Sequence, residues 1–317
     1  MKRMRMGTVF IYAALIIGAL LSLFPILWMI SASFMPTGMA NTFPPRLLPD
    51  HPTLQHYRDV FTRLNMAHYL VNSGIISIVV TVLSLIVNSM AGYAFAKLRF
   101  RGRDSVFRAM SAGLVIPVQV AMLPLFLLMK SLGLINTYWG VIIPSMASIF
   151  GIFLIRQYAI SIPDDLLDAA RIDGASEARI YRSIVLPTIT PILATLAIWT
   201  FLTTWNDFMW PLIVLSDERR YTLPVALASL VGEHVQDTEL MVAGSVLTVL
   251  PLGAGGRGVA GSEAVTFSAQ SQRRQPHVVI ELDGELGGTL QPTSRQAPRR
   301  VATIRRCRRK SRNVRSG

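Results

Sequence analysis

Few residues of this 317-residue chain have the types and spacing that catalytic or metal chemistry needs. The five histidines are scattered without ligand spacing, and the single cysteine, Cys307, excludes an internal disulfide framework and a Cys-rich metal site. Gly253, Gly255 and Gly258 match the G-x-G-x-x-G pattern of dinucleotide sites, but no strand–helix–strand unit flanks them. A Walker phosphate-binding motif is also missing from the sequence. We therefore predict no catalytic residue, no metal site and no bound cofactor.

The most informative segment is a polar loop, residues 161–191, which lies between two long apolar runs. Pro163 suits the first turn of a helix, and the two aspartates after it suit the positive N-terminal end of that helix. Gly174 can take the left-handed conformation that ends a helix, and Ser176 can cap a second helix with Pro187 beyond its end. The pattern predicts a helix–turn–helix presented by flanking membrane helices. An ordinary solvated loop is the alternative.

One spaced set of residues in the polar loop is more specific than its helical pattern. It reads Asp168-Ala169-Ala170, Asp173-Gly174-Ala175 and Ile184-x-Leu186-Pro187. This set resembles the EAA loop of ATP-binding-cassette (ABC) importer permeases, with Asp168 standing where that family usually has Glu. The resemblance implies that the loop docks into a cleft of a cytoplasmic ATPase and transmits the motion of ATP hydrolysis to the pore. The implied ATPase-coupling residues are Asp168, Ala169, Ala170, Asp173, Gly174, Ala175, Ile184, Leu186 and Pro187.

Composition independently indicates a membrane protein. Hydrophobic residues make up 51% of the chain and charged residues 15%, and the mean hydropathy is +0.45. Soluble domains carry about 25% charged residues. The net charge of +13 is concentrated in the C-terminal tail, which has 13 Lys or Arg after residue 252. A single aromatic residue, Phe267, lies among these cations, so we predict no nucleic-acid partner.

Five apolar segments are long enough to cross a membrane, which takes about 20 residues. A cleaved signal peptide is the alternative for the first. Four cations in residues 97–103 indicate a cytoplasmic loop, and the acidic character of residues 216–239 indicates an external loop. We therefore predict that the N-terminus is cytoplasmic. Residues 54–64 predict a helix, either on the membrane surface or packed on the domain. The predicted spans are residues 8–30, 69–96, 106–128, 139–158 and 188–215.

The end of the fifth predicted span carries polar residues at membrane depth. Trp205, Asn206 and Asp207 are candidates for a pore or substrate path, because polar side chains in a membrane are costly unless they face protein or water. The alternative is that they lie at the outer interface, where Trp205 and Trp210 would form part of an aromatic belt. The run from Trp205 to Leu212, with residues 221–225, resembles the carbohydrate-uptake branch of these permeases. It implies a sugar or related polar solute; a polyol or glycerol-3-phosphate is the alternative.

The C-terminal region departs from the family pattern. A sixth span begins at Leu240 but loses its apolar character after Leu252, where glycines and Arg257 follow. A sixth span that includes Arg257 at its inner end is the alternative. We predict a permease domain over residues 1–252 and a basic, disordered tail over residues 253–317. A change of reading frame near Leu252 is one hypothesis for the tail, and a genuine regulatory or lipid-binding tail is the rival.

Together these patterns predict an all-α, multi-pass inner-membrane protein with five to six spans and a cytoplasmic coupling helix–turn–helix. The resemblance implies that it binds no cofactor itself and performs no bond chemistry. It also implies the partners: a cytoplasmic ABC ATPase dimer that binds ATP, a second homologous permease, an extracytoplasmic solute-binding protein and membrane lipid.

Overall fold

The computed structural model describes residues 6–44, 46–233 and 237–249, and these residues form helices and loops without a β-strand. This confirms the all-α prediction. The predicted tail, residues 253–317, lies outside the described residues. The helices are α1 (Met6–Ala32), α2 (Gln55–Thr62), α3 (Met66–Lys97), α4 (Arg103–Ala112), α5 (Val118–Ser131), α6 (Tyr138–Ser145), α7 (Ile149–Ala159), α8 (Asp164–Ile172), α9 (Glu177–Ile180), α10 (Leu186–Thr188), α11 (Thr190–Trp205), α12 (Met209–Val214), α13 (Leu223–Glu233) and α14 (Thr238–Val249).

Three stretches of the described chain are long and apolar enough to cross a membrane unaided: Phe10–Ala32, Met66–Lys97 and Tyr138–Ala159. Two bent helix pairs raise the number of candidate spans to five. The sixth predicted span begins as α14, and its continuation past residue 249 lies outside the described residues. The helices therefore agree with the predicted five to six spans.

Helix α3 is the centre of the helical packing. Its most extensive contacts are with α7 and α11, and it also contacts α6 and α13. Gly92 in α3 lies so close to α7 that a Cβ atom built there would be 2.6 Å from Ile155 Cγ2. Small residues allow this close approach of helices, which is a main source of association in membranes. By contrast, the apolar side chains of α1 are largely exposed on this chain.

Buried polar side chains on α3 provide a hydrogen-bond partner for the backbone at a break in the fourth span, between α6 and α7. Asn88 is buried; its Oδ1 accepts a hydrogen bond from the backbone N–H of Ser148 at 3.0 Å, and its Nδ2 donates to Ser84 Oγ at 2.7 Å. Ser148 in turn caps α7 by accepting from the N–H of Gly151 at 3.2 Å. Backbone groups freed by a break at membrane depth need such partners.

Two other predicted spans are sharply bent. The third is bent by 110° where the pair Arg103–Val115 and Val118–Ser131 meets, because Pro117 is extended and its ring cannot continue the preceding helix. The fifth is bent by 77° before Thr190, and α11 ends at Trp205 rather than at residue 215. Residues 209–214 instead form the separate α12.

Two further segments resolve or correct the predictions. Residues 216–239 contain the apolar helix α13, so the prediction of a loop throughout is wrong there; its Leu223, Val225 and Ala226 are buried. Helix α2 is packed on the domain, since His56 and Val60 are buried. His56 Nε2 donates to the carbonyl of Met35 at 2.8 Å, which gives this histidine a structural role.

Candidate functional site

The polar loop folds as the predicted helix–turn–helix. Helix α8 starts immediately after Pro163, and Gly174 takes a left-handed φ of +79° two residues beyond its end. The N–H of Ala175 donates to the carbonyl of Ala170 at 3.0 Å, and the N–H of Gly174 donates to that of Arg171 at 3.0 Å. These two bonds form a Schellman motif, the usual way in which a glycine closes a helix.

The second helix of the loop starts as predicted but ends later. Ser176 Oγ accepts a hydrogen bond from the N–H of Arg179 at 3.4 Å, which confirms its capping role. Helical backbone then continues through a π-helical turn, Tyr181–Val185, and into α10, so the prediction that Pro187 lies beyond the helix is wrong. A wider π-helical turn just before Pro187 agrees with the absence of an N–H on proline, which cannot join an ordinary α-helical ladder.

Arg171 joins both helices of the polar loop. Its Nη1 donates to Asp168 Oδ1 at 2.7 Å, and its Nε donates to Glu177 Oε1 at 2.8 Å. The two carboxylates, Glu177 before Asp168, raise the pKa of the Arg171 guanidinium above its ordinary value. Tyr93 in α3 donates to the other oxygen of Glu177 at 2.6 Å. Because charge-assisted hydrogen bonds are the stronger kind, this chain of contacts ties α8 and α9 to α3.

Lys97 makes a second connection between α3 and the polar loop. Its Nζ donates to the carbonyl of Ile162 at 2.6 Å and to Asp164 Oδ1 at 2.7 Å. The Lys97 side chain is 7% exposed, whereas that of Asp164 is 76% exposed. The hydrogen bond from Lys97, followed by the charge of Lys97, lowers the pKa of the Asp164 carboxyl. The last residue of α3 therefore holds the first residue of α8.

Helix α8 has one packed face and one exposed face. Leu167 is 1% exposed and packs in a core cluster with Ile155, Ile180 and other buried side chains. Leu166 and Ile172 are 49% and 85% exposed. The helix thus exposes two apolar side chains on an element that is fixed to the core.

The predicted coupling residues divide between the two faces of the polar loop. Asp168, Ala169, Asp173, Gly174 and Pro187 are exposed, whereas Ala170, Ala175, Ile184 and Leu186 are half-buried. Ala170, Ala175 and Ile184 pack against the core cluster that holds Leu167. The predicted coupling residues therefore lie in one folded loop, and residues 168–174 are more exposed than residues 175–186.

The candidate pore residues lie at the break between α11 and α12. Trp205 is buried, and its Nε1 donates to the carbonyl of Thr248 at 3.0 Å. Asn206 is exposed and donates to the carbonyl of Leu202 at 2.8 Å. Asp207 is half-buried, and its Oδ1 accepts from the N–H of Trp210 at 3.4 Å. Trp210 is also buried, so the two tryptophans pack in the protein rather than forming an exposed aromatic belt.

Several residues that organise the site were not singled out from the sequence. Tyr93 lies in an apolar run without any local signal, while Lys97 and Arg171 were interpreted only as markers of the cytoplasmic side. Their helical spacing cannot indicate contacts between segments about 80 residues apart. Within the described ranges, no group of three or more His, Cys, Asp or Glu could hold a metal ion.

Comparisons with known proteins agree with the fold and with the resemblance of the polar loop. Residues 88–257 match the family described as "Binding-protein-dependent transport system inner membrane component". The arabinooligosaccharides transport system permease protein AraQ of Halalkalibacterium halodurans is 42% identical over 241 residues, which cover 74% of this chain and 85% of the relative. The sn-glycerol-3-phosphate transport system permease protein UgpE of Salmonella typhi is 31% identical over 252 residues, covering 77% and 90%.

A solved structure gives the same result. The bacterial ABC transporter involved in the import of the acidic polysaccharide alginate matches with a TM-score of 0.69 and 25% identity, covering 87% of this chain and 99% of the matched chain. The family match extends over more than half of the sequence and includes the whole polar loop. The chain therefore belongs to the family of binding-protein-dependent transport system inner membrane components, as a multi-pass permease subunit of an ABC importer and not an enzyme.

Proposed function

We propose that this permease forms one half of a translocation pore for a carbohydrate. The support is its 42% identity to a permease named for arabinooligosaccharides and its fold similarity to an alginate importer. Oligosaccharides are therefore the first solutes to test. Glycerol-3-phosphate is the alternative, because a permease named for that solute is 31% identical.

Coupling to ATP hydrolysis is assigned to the exposed face of α8. The observation that carries this assignment is the pair of exposed apolar side chains, Leu166 and Ile172, on a helix whose Leu167 is locked in the core. A cytoplasmic ATPase would bind this face, with Asp168 as the charged contact. The N-terminus and the polar loop would then both lie on the cytoplasmic side, and ATP would be bound by the ATPase dimer.

The contacts of α3 provide a route from the ATPase to the pore. Motion of α8 would reach α3 through Lys97 on one side and through Arg171, Glu177 and Tyr93 on the other. Since α3 packs along α7 and α11, its displacement would move the helices around the solute path. A solute-binding protein would deliver the solute outside, and a second permease would complete the pore.

The solute path itself is assigned to the break between α11 and α12. Asn206 and Asp207 would face the solute there, because both are polar, neither is fully buried, and both lie where helical backbone is interrupted. Trp205 would support the break from behind through its bond to Thr248.

The test uses the full chain expressed with its ATPase, its partner permease and its solute-binding protein. We expect the ATPase and the second permease to copurify with the chain in detergent, and cells to take up arabino-oligosaccharides. Ile172→Glu should weaken ATPase capture, since it places a charge in the apolar contact. Leu48→Glu is the matched control, because Leu48 is also exposed but lies in the loop after α1. Equal ATPase capture by both variants would remove α8 as the docking surface, and uptake of glycerol-3-phosphate alone would favour the alternative solute.

A further inference from the structure

The turn that joins α3 to α4, together with the start of α4, is strongly basic. This segment carries four arginines within ten residues, Arg99 and Arg101 in the turn and Arg103 and Arg108 in α4, with Asp104 as the one acidic residue among them. All five residues line one pocket with a volume of about 760 Å³. One carboxylate cannot neutralise four cations, so this segment keeps an excess of positive charge.

One of these arginines, Arg101, makes no hydrogen bond or ion pair with any residue that the structure describes. Arg99 makes none either, although its charge helps to lower the pKa of the Asp164 carboxyl, and Arg99 and Asp164 both line a second cavity. Arg103 is engaged, because its Nε lies 3.1 Å from Asp104 Oδ1, and Arg108 Nε donates to the backbone carbonyl of Asp104 at 3.2 Å. A guanidinium is a planar fork of donors that fits phosphate oxygens, and it stays charged at any physiological pH.

Aromatic packing holds the backbone that carries these arginines. Phe100 packs on Phe95 of α3 with ring centroids 5.8 Å apart, and Phe107 of α4 packs on the same ring at 5.6 Å. Arg103 Nη1 also donates to the carbonyl of Leu98 at 3.3 Å. The pocket is therefore part of a fixed turn, and a ligand would not have to order the backbone on binding.

The pocket has one apolar lining side chain, Phe100, and it lies at the end of two candidate membrane-spanning elements. Phe100 is 45% exposed beside the arginines. Among phosphate-bearing ligands, a phospholipid offers both an anionic headgroup for the arginines and acyl chains for Phe100. Basic pockets next to spanning helices recognise anionic lipid headgroups in this way.

We propose that the pocket formed by Arg99, Arg101 and Arg108 binds the headgroup of an anionic phospholipid and fixes the α3–α4 turn at the membrane surface. The proposal rests on membrane insertion and not on the identity of the solute. Arg101→Gln separates it from ATPase docking at α8, because Arg101, unlike Arg99, does not line the cavity that contains Asp164 and Asp168. An acidic surface of the ATPase is the rival occupant.

The test is native mass spectrometry of the full chain, purified in detergent and titrated with phosphatidylglycerol. Each arginine near a membrane surface contributes about fivefold to the binding of anionic lipid. We expect Arg101→Gln to weaken phosphatidylglycerol binding by about fivefold and Arg99→Gln/Arg101→Gln by about 25-fold if the two effects add. Arg58→Gln is the charge-matched control, because Arg58 is exposed on α2 and its side chain makes no ion pair with the described residues.

Three comparisons decide the outcome. Phosphatidylcholine has the same phosphate but no net charge and should bind weakly to every variant, and soluble glycerol phosphate should not displace phosphatidylglycerol. Unchanged phosphatidylglycerol binding in the double variant, or equal loss in Arg58→Gln, would overturn the proposal. If the double variant instead loses ATPase copurification with unchanged lipid binding, the pocket is a protein interface.

Discussion

Tyr93 Oη, close to the end of the long α3 helix, lies 2.6 Å from Glu177 Oε2 at the first residue of α9. Tyr93 is buried, and Glu177 also accepts a hydrogen bond from Arg171. The Glu177 carboxylate is therefore bonded both to α3, a spanning helix, and to α8, the helix that precedes the Gly174 turn. The ring of Tyr93 also packs on that of Tyr181, with centroids 5.8 Å apart. We interpret this arrangement as a mechanical link between the polar loop and the membrane domain.

Removing the Tyr93 hydroxyl should loosen that link. A hydrogen bond to a charged group contributes about 1.5–3 kcal/mol, and Tyr93→Phe deletes it while keeping the ring. We expect a lower thermal unfolding temperature in detergent and less solute transported per ATP hydrolysed. Tyr158→Phe is the control, because the Tyr158 hydroxyl makes no hydrogen bond within the described residues, although its ring packs near the same core. Identical behaviour of the two variants would show that the Tyr93 hydroxyl does not serve as a link.

The close approach of α3 and α7 should be sensitive to a single methyl group. Gly92→Ala places a Cβ within 2.6 Å of Ile155 Cγ2 and 3.1 Å of the Arg156 backbone N, so the helices must separate. We expect destabilisation of about 1–3 kcal/mol, measured as a fall in unfolding temperature in detergent. Gly74→Ala in the same helix meets nothing within 4 Å, and it should be neutral or stabilising by up to about 1 kcal/mol. A larger effect at Gly74 than at Gly92 would contradict this packing.

Local patterns in the sequence explain how much of the fold could be predicted. The cap at Ser176, the left-handed Gly174 and the long apolar runs are properties of neighbouring residues, and the structure confirms them. The bend at Pro117 and the π-helical turn before Pro187 depend on how the surrounding structure accommodates each proline. Sequence alone does not show whether a helix continues through a proline or is interrupted there. The disordered tail after residue 252 and the frame change stay predictions, since they lie outside the described residues.

The candidate site was predictable in its motif but not in its contacts. Asp168 and Gly174 follow from spacing within one segment. The pairing of Asp168 with Arg171 follows helical i, i+3 geometry, but the contacts of Tyr93 and Lys97 join residues 84 and 67 positions apart. Such contacts depend on helix packing, for which one sequence carries no direct signal.

Charge at position 168 should control ATPase assembly. We expect Asp168 to pair with an arginine or lysine of the ATPase, so Asp168→Lys would place a cation beside that partner as well as beside Arg171, and both contacts would become repulsive. We expect less ATPase to copurify with this variant. Asp168→Glu keeps the charge and adds one methylene, as in the family motif, and should be tolerated or improved. Undiminished ATPase copurification with the Lys variant would place Asp168 away from the interface.

The break between α11 and α12 should affect transport without affecting assembly. Asn206→Leu removes an exposed polar group from the assigned solute path, and we expect lower uptake of oligosaccharide with normal copurification of the partner subunits. Thr203→Val is the control on the same helix, because the Thr203 hydroxyl bonds only to carbonyls of its own helix among the described residues. If Asn206→Leu transports normally, the solute path lies elsewhere.

The most direct test of coupling through the polar loop is to measure ATP hydrolysis and oligosaccharide uptake side by side in proteoliposomes for two variants of Gly174. A Cβ at Gly174 meets no atom within 4 Å, so the effect of a substitution comes from its φ of +79° and not from crowding. Asparagine tolerates this left-handed conformation. Most other residues with a Cβ incur about 1–2 kcal/mol of strain in it, and β-branched valine fits it poorly. We predict that Gly174→Asn keeps near-normal uptake per ATP hydrolysed, while Gly174→Val inserts and assembles but loses about tenfold in that ratio. Equal uptake per ATP in the two variants would contradict this prediction.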